Sequence, residues 1–122
     1  MPWARVDTTH SGPRRRAARD DDRRYRRGVP TYFGAAWHHN HANEPVYMWH
    51  ELADDRTETR KVEEFPDGVR LRADAQHQDG ETALSWEPMP SLEFIDVQDE
   101  FTTHPLTQEE FEKVWASARY KR

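Results

Sequence analysis

The sequence contains no cysteine, and this absence excludes disulfide bonds, thiolate metal sites and a cysteine nucleophile. It also lacks any run of about 18 apolar residues, which excludes a membrane-spanning helix. No apolar stretch follows the arginines near the N-terminus, so the sequence predicts no secretory signal. From these absences we expect a cytoplasmic protein that does not associate with a membrane.

The chain is also poor in hydrophobic residues, which make up 34% of its 122 positions and only equal the charged residues at 34%. This length fits a single domain with a small core. Aromatic residues reach 11%, and their large side chains are sufficient to build such a core.

Charge is divided unevenly along the chain. Residues 1–28 contain nine Arg and four Asp, a net charge of +5, whereas residues 29–122 carry a net charge of −10. The first segment has almost no aliphatic residues, so ordering it would not repay its backbone entropy. We therefore expect residues 1–28 to form a disordered Arg-rich arm and residues 29–122 to form a single small α+β domain. The arginines of the arm suit contact with nucleic acid; the alternative is that the arm folds onto itself or onto the acidic domain.

A two-residue hydrophobic period predicts strands in the first half of the domain. They cover residues 31–39, 46–52, about 57–65 and 69–75, and residues 82–86 form a further short edge strand. The polar residues 53–56 predict a hairpin turn. Pro66-Asp67-Gly68 predicts another, because proline, aspartate and glycine each favour a turn position.

The last third of the domain changes to a helical pattern. Ser91 is a suitable N-cap for a short helix, and Thr107 with Glu110 forms a capping box at the start of a second helix. The second helix has one apolar face, made by Phe111, Val114, Trp115 and Ala118. The order of the elements predicts an α+β fold: an antiparallel sheet of four to five strands with two C-terminal helices packed on one face.

Alternation along the strands divides the predicted sheet into two faces. Met48 and Leu52 share an apolar face, which we expect the helices to cover. The opposite face would stay open, and it combines the aromatic and charged side chains that are typical of binding surfaces: Tyr47, Trp49, Glu51, Glu58 and Arg60. The alternative is a solvated face with ordinary cross-strand salt bridges. Lys61 and Glu63 fall on the apolar face, which requires either a register shift or a position beyond the helices.

Histidines cluster before the second strand, and candidate metal ligands are His39, His41 and His50. His39 and His41 would point to the same side of an extended strand, as two ligands of one metal ion do. Histidines in a polar turn are more commonly surface residues, so we predict no metal and no cofactor. In the alternative of a small enzyme, the candidate catalytic residues are His39, as general base, with Glu51 and Arg60.

Several short stretches together resemble a known family. They include Trp37-His38-His39, Glu44-Pro45, Glu51-Leu52, Arg60-Lys61-Val62-Glu63 and Val114-Trp115. Over residues 32–118 the chain resembles a family of small bacterial proteins, frequent in actinomycetes, that is classed as a domain of unknown function. The resemblance implies a stand-alone domain and adds Trp37 to the candidate binding residues.

The sequence favours a non-enzymatic binding or regulatory module that uses the aromatic and charged sheet face. The acidic domain suits a basic protein partner. Two alternatives stay open: a small enzyme or metal-binding protein with a His/Glu/Arg site, and nucleic-acid contact through the Arg-rich arm.

Overall fold

The computed structural model describes residues 29–78 and 82–121 of the chain. The predicted Arg-rich arm, residues 1–28, lies outside the described residues. The described part contains β1 (Thr31–Trp37), β2 (Tyr47–Leu52), β3 (Glu58–Glu64), β4 (Arg70–Asp74), α1 (Leu92–Asp96), β5 (Phe101–Leu106), α2 (Gln108–Ala116) and β6 (Arg119–Tyr120). Within these ranges, neither helix has the length and apolarity needed to cross a membrane.

All of these strands belong to one sheet, in the order β5-β1-β2-β3-β4-β6. Neighbouring strands are antiparallel except for β4 and β6, which are parallel. The α+β class is confirmed, but the predicted four to five strands are too few and the sheet is mixed. β5 contains Pro105 and β6 has only two residues, so neither shows a run of alternating β-formers. Residues 82–86 form an irregular loop and not the predicted edge strand.

The turn between β2 and β3 lies at the predicted residues 53–56 and has a three-residue loop. The Ala53 N–H donates to the Thr57 carbonyl oxygen at 2.9 Å, which leaves three residues in the loop. The last of these, Arg56, has a φ of 70°. This is the usual form of a three-residue hairpin loop, with a left-handed residue at its end.

β3 contains a bulge that changes which face one acidic side chain occupies. Arg60 pairs with Glu51, but the next residue of β2, Leu52, pairs with Glu58, so that Thr59 is an extra residue in β3. An extra residue reverses the alternation of side chains on one side of it. Glu58 therefore lies on the face of Leu52, although the regular alternation predicts it beside Glu51.

The two helices pack on opposite faces of the sheet, which corrects the predicted arrangement with both on one face. We call one face the loop-covered face, because residues 82–96, including α1, lie against it. Met89 and Ile95 of this covering segment complete a core with buried side chains of the sheet: Phe33, Ala35, Met48, Leu52 and Phe101.

α2 covers the other face, which we call the helix-covered face. Phe111 of α2 forms a buried cluster with Tyr32, Trp49 and Val62, and Trp49 is only 9% exposed. The prediction that the face of Tyr47 and Trp49 stays open is therefore wrong. The hydrophobic pattern of the sequence showed that α2 has an apolar face, but it did not determine which face of the sheet α2 would cover. β5 lies at a sheet edge between the helices, and from an edge the chain can cross to either face.

The predicted helix starts are confirmed. The Ser91 hydroxyl accepts the Phe94 N–H at 3.1 Å. At α2, the Thr107 hydroxyl accepts the Glu110 N–H at 3.1 Å, and the Glu110 carboxylate accepts the Thr107 N–H at 2.9 Å. Both caps satisfy backbone donors that lack partners within the helix.

The outer edge of β5 is closed to an added strand. The Phe101 N–H donates to the Gln98 carbonyl oxygen at 3.0 Å, and the Thr103 N–H donates to Asp96 Oδ1 at 2.7 Å. The next outward position is Pro105, which has no N–H. β5 thus offers no outward backbone donor, and a partner that binds by strand addition finds no template on this strand.

Candidate functional site

Glu51 and Arg60, two of the predicted site residues, form an ion pair on the helix-covered face. Arg60 Nε donates to Glu51 Oε1 at 2.8 Å, and Arg60 Nη2 donates to Glu51 Oε2 at 2.7 Å. The same guanidinium donates to Glu112 Oε2 of α2 at 2.7 Å, and the Tyr32 hydroxyl donates to Glu51 Oε2 at 3.0 Å. These bonds connect α2 to the sheet, so they hold the fold together and do not present the charges to a ligand.

The same network fixes the ionisation of its members. Burial alone would raise the pKa of the Glu51 carboxyl, but hydrogen bonds from Arg60 and Thr59 hold this pKa below its usual range. Burial and the hydrogen bond to Glu51 raise the pKa of Tyr32 to about 12. At neutral pH Glu51 is ionised and Tyr32 is neutral, so neither is poised as a general acid or base.

Arg60 lies over two rings of α2, and not over Trp49 of the same sheet face. Its guanidinium carbon lies 5.0 Å from the ring centroid of Phe111 and 4.9 Å from that of Trp115. Trp49 pairs with Val62 across the sheet, and Arg70 lies over its ring at 4.9 Å. The cation–π contacts of the face are thus also internal to the fold.

Tyr47, another predicted binding residue of this face, has an exposed partner. Its hydroxyl oxygen lies 3.0 Å from the ring nitrogens of His104, which is exposed. Its ring packs on Trp49 with a centroid distance of 4.5 Å. Tyr47 and His104 are therefore a remnant of the predicted binding face at the surface.

His39 holds a turn. Its Nε2 donates to the Pro45 carbonyl oxygen at 2.7 Å, and its Nδ1 accepts the His41 N–H at 2.9 Å. These two bonds require the neutral ring with its proton on Nε2, which leaves no lone pair for a metal ion or a substrate proton. Trp37, on the loop-covered face, packs against the same ring with a centroid distance of 4.4 Å.

The candidate catalytic and metal-ligating residues do not converge. His39 contacts Pro45, just before β2 begins, whereas Glu51 lies near the other end of β2. His50 is buried on the loop-covered face. In the parts of the chain that the structure describes, no group of three or more His, Cys, Asp or Glu side chains is placed to hold a metal ion.

The loop-covered face contains four ionisable side chains that are buried as two pairs. His50 Nδ1 is bonded to Glu58 Oε2, and both side chains are 0% exposed. Lys61 Nζ lies 3.1 Å from Glu63 Oε2. Lys61 and Glu63 therefore occupy the apolar face because they compensate each other's charge. Glu58, predicted as a binding residue of an open face, is a buried residue of the opposite one.

The Glu58 carboxyl is ionised in its buried position. Burial alone would raise its pKa, but the charge and hydrogen bond of His50 lower the pKa below the usual range, with Lys61 and the Ser85 N–H acting in the same direction. The sequence signal for this cluster was the pair of charged residues at alternate positions, Lys61 and Glu63. The bulge that adds Glu58 to the cluster had no signal in the alternation.

A loop lies over the buried charges, and we call residues 82–90 the Trp86 loop. The Ser85 N–H donates to Glu58 Oε1 at 2.8 Å. The Thr82 hydroxyl donates to Glu63 Oε1 at 3.3 Å. Both buried carboxylates therefore bind the first half of the Trp86 loop.

Arg56 binds the second half of the Trp86 loop. Its Nε donates to the Met89 carbonyl oxygen at 2.8 Å and its Nη2 to the Pro90 carbonyl oxygen at 2.6 Å. In return, the Arg56 carbonyl oxygen accepts the Met89 N–H at 2.8 Å. The loop is thus attached to the sheet on both sides of Trp86.

Trp86 itself points into solvent and is 86% exposed. The sequence predicts it on a strand with Thr82 and Leu84, and this placement is wrong because the Ser85 N–H is bonded to a carboxylate and not to a neighbouring strand. Val97, which follows α1, is 76% exposed. Residues 82–97 therefore include two large apolar side chains that are exposed.

The exposed apolar side chains lie in an acidic part of the chain. Residues 73–112 contain eleven Asp or Glu and no Lys or Arg. We use the name acidic Trp86 surface for six exposed residues of this stretch: Trp86, Val97, Glu93, Asp96, Asp99 and Glu100. Exposed tryptophan among charges of one sign is a combination that suits recognition of an oppositely charged partner.

The fold and the site define a class of protein: a small α+β domain with helices on both sides of a mixed sheet and an acidic surface that bears tryptophan. Residues 31–120 match the model of the family described as Domain of unknown function (DUF6881). The chain belongs to the DUF6881 family, as the resemblance indicated. No curated protein and no solved structure gives a significant match to the chain.

Proposed function

We propose that this protein is a non-enzymatic binding module that docks a basic protein partner on the acidic Trp86 surface. The observation that carries the proposal is Trp86 itself, 86% exposed on a loop that is attached on both sides. Tryptophan is the residue type most enriched among residues that dominate binding energies. Because the loop is attached in advance, docking costs less conformational entropy than it would for a free loop.

The charge of the surface supports a basic partner. The four exposed acids of the surface, Glu93, Asp96, Asp99 and Glu100, repel acidic proteins and nucleic acid and attract a positively charged surface. Such attraction speeds association and weakens as salt is added. The internal bonding of Glu51, Arg60 and His39 supports a non-enzymatic role, because these candidate catalytic groups are engaged within the fold.

The test is affinity capture with the full chain from a nuclease-treated lysate, followed by direct binding of the purified captured protein. Two variants alter the surface: Trp86→Ala removes the indole, and Glu93→Lys reverses a charge in the first turn of α1. Two matched controls alter residues that do not belong to the named surface. Val29→Ala removes an exposed apolar side chain that precedes β1, and Glu109→Lys makes the same reversal in the first turn of α2.

We expect one basic protein to be captured by the wild type and by both controls, and to be lost with Trp86→Ala and with Glu93→Lys. The purified protein should bind directly, and more weakly at higher salt. Capture that the surface variants leave unchanged would overturn the proposal. Capture that occurs only from a lysate without nuclease treatment would favour the nucleic-acid alternative.

A further inference from the structure

We infer that Glu58 is the positioning residue of the Trp86 loop: its buried carboxylate, held from one side by His50, fixes the Ser85 amide and thereby the direction of Trp86. The consequence for binding rests on the proposed function. The consequence for the loop itself does not.

One carboxylate connects the sheet to the residue next to Trp86. Glu58 Oε1 accepts the Ser85 N–H at 2.8 Å, and Oε2 is bonded to His50 Nδ1. The side chains of His50 and Glu58 are 0% exposed. The orientation of the carboxylate is therefore set inside the fold and not by solvent, and the Ser85 amide takes its position from it.

An ion pair buried in this space costs free energy, because both charges lose their contact with water. Apolar side chains of similar volume often stabilise a fold as well or better than a buried ion pair does. An apolar side chain at position 58, however, would offer no acceptor to the Ser85 N–H. The charge at position 58 thus supplies a directional bond to the loop, which burial of apolar surface alone does not supply.

The bulge in β3 has a role in this arrangement. Without the extra residue Thr59, Glu58 would continue the alternation of β3 and point to the helix-covered face. Bulges commonly redirect one side chain toward a functional site. Here the bulge turns the carboxylate of Glu58 toward the Trp86 loop.

The other attachments of the loop are farther from Trp86 in the chain or longer. The Thr82 hydroxyl lies 3.3 Å from Glu63 Oε1, and Arg56 binds Met89 and Pro90. Ser85 is the immediate neighbour of Trp86. Loss of its bond should therefore loosen Trp86 while the ends of the loop stay attached.

The test measures amide exchange in the full chain by NMR, with the exchange rate of the Ser85 amide divided by that of the Phe111 amide in α2. The Phe111 amide shows in the same experiment whether a substitution also changes the stability of α2. Glu58→Leu fills the space without an acceptor, and Glu58→Gln keeps an oxygen that can accept the Ser85 N–H. Glu51→Gln is the matched control, because Glu51 is an ion-paired carboxylate on the opposite face of the same hairpin.

We expect Glu58→Leu to raise the ratio about tenfold, the equivalent of one hydrogen bond, and Glu58→Gln and Glu51→Gln to raise it much less. If Glu58→Leu does not fold, Ser85→Pro removes the donor from the loop side, and the NMR order parameter of the Trp86 amide should fall below that of the wild type. An unchanged ratio in Glu58→Leu, or an unchanged order parameter in Ser85→Pro, would overturn the inference.

Partner binding separates this inference from the proposed function. Glu58→Leu, or Ser85→Pro in its place, should weaken binding about tenfold if the loop is loosened by one hydrogen bond. If Trp86→Ala leaves binding unchanged, the proposed function fails and the exchange result still decides the role of Glu58. If Trp86→Ala weakens binding but Glu58→Leu changes neither binding nor amide exchange, only the role of Glu58 fails.

Discussion

Arg60 of β3 and Glu51 of β2 face each other across the sheet and are joined by two hydrogen bonds of 2.8 and 2.7 Å. The paired, planar arrangement is the strongest form of a carboxylate–guanidinium contact. Glu112 of α2 joins the same guanidinium but is 44% exposed. The ion pair within the sheet should therefore contribute more to stability than the one between Arg60 and α2.

Replacement of Arg60 by Met should lower the free energy of unfolding by about 1–3 kcal/mol, because Glu51 loses its charged donor in a half-buried position. Glu112→Gln should cost less than about 1 kcal/mol, since exposed ion pairs contribute little. Urea denaturation measures both. Equal losses for the two variants would show that the contact with α2, and not the sheet pair, dominates.

Acid should destabilise the protein. Glu51 and Glu58 have pKa values in the folded state below the unfolded value of 4.5. For Glu51, hydrogen bonds from Arg60 overcome the effect of burial; for Glu58, the charge of His50 does so. A lowered folded pKa contributes stability above the unfolded pKa, and this contribution disappears as the pH falls through the folded pKa.

The free energy of unfolding, measured by urea denaturation at pH values from neutral to well below 4.5, should therefore fall on the acid side. Glu58→Gln should flatten this decline, because it removes a carboxyl whose pKa is lowered in the folded state. A stability that is constant or rises on acidification would contradict the ionised, paired state of the buried carboxylates.

The Tyr32 hydroxyl should lose its proton at a higher pH than an ordinary tyrosine does. Burial and the bond to Glu51 raise its pKa from 10.0 to about 12. A raised folded pKa gives stability that is complete below the unfolded pKa and is lost as the pH rises through the folded one. In a spectrophotometric titration of phenolate absorbance, Tyr32→Phe should remove the component near pH 12. Removal of an earlier component would contradict the assignment.

Gly34 should tolerate a methyl group only when a neighbour moves. A Cβ at this position would lie 3.0 Å from the Tyr47 hydroxyl oxygen and 3.1 Å from the His104 ring. We expect Gly34→Ala to cost about 1 kcal/mol, at the low end of overpacking, since the exposed His104 can rotate away. The penalty should shrink when His104→Ala is added, as a double-mutant cycle measures.

Gly68 is the control for this cycle. It has a φ of +90° and no atom within 4 Å of a built Cβ, so Gly68→Ala is strained by backbone conformation and not by crowding. His104→Ala should leave the cost of Gly68→Ala unchanged. Equal relief at both glycines would contradict the crowding at Gly34.

The sequence predicted the elements that have a strong local pattern. The first four strands were found from a two-residue period, although β3 departs from it at the bulge. The caps at Ser91 and Thr107 depend on neighbouring residues alone. Strands β5 and β6 were missed because Pro105 interrupts one and the other is too short to show a period. Alternation left open which face Lys61 and Glu63 occupy; they lie on the face of Leu52, where each compensates the charge of the other.

The acidic Trp86 surface could not be predicted from the sequence, because it depends on contacts between residues that are far apart in the chain. Alternation shows which residues share a face but not which face receives α2, and that choice covered Trp49 with Phe111. Tryptophan side chains are largely buried on average, so the sequence gives no sign that Trp86 is exposed. Nothing in the residues next to Trp86 indicates that Glu58 accepts the Ser85 N–H. The bulge at Thr59, which turns Glu58 to that side, is likewise invisible in the alternation.

The acidic Trp86 surface is tested most directly by calorimetric titration of the purified partner into the full-length wild type, Trp86→Ala and Val29→Ala. A central tryptophan in an interface contributes at least about 2 kcal/mol, so we expect Trp86→Ala to weaken binding by about thirtyfold or more. Val29→Ala should bind like the wild type. Equal affinities for all three proteins would contradict the account.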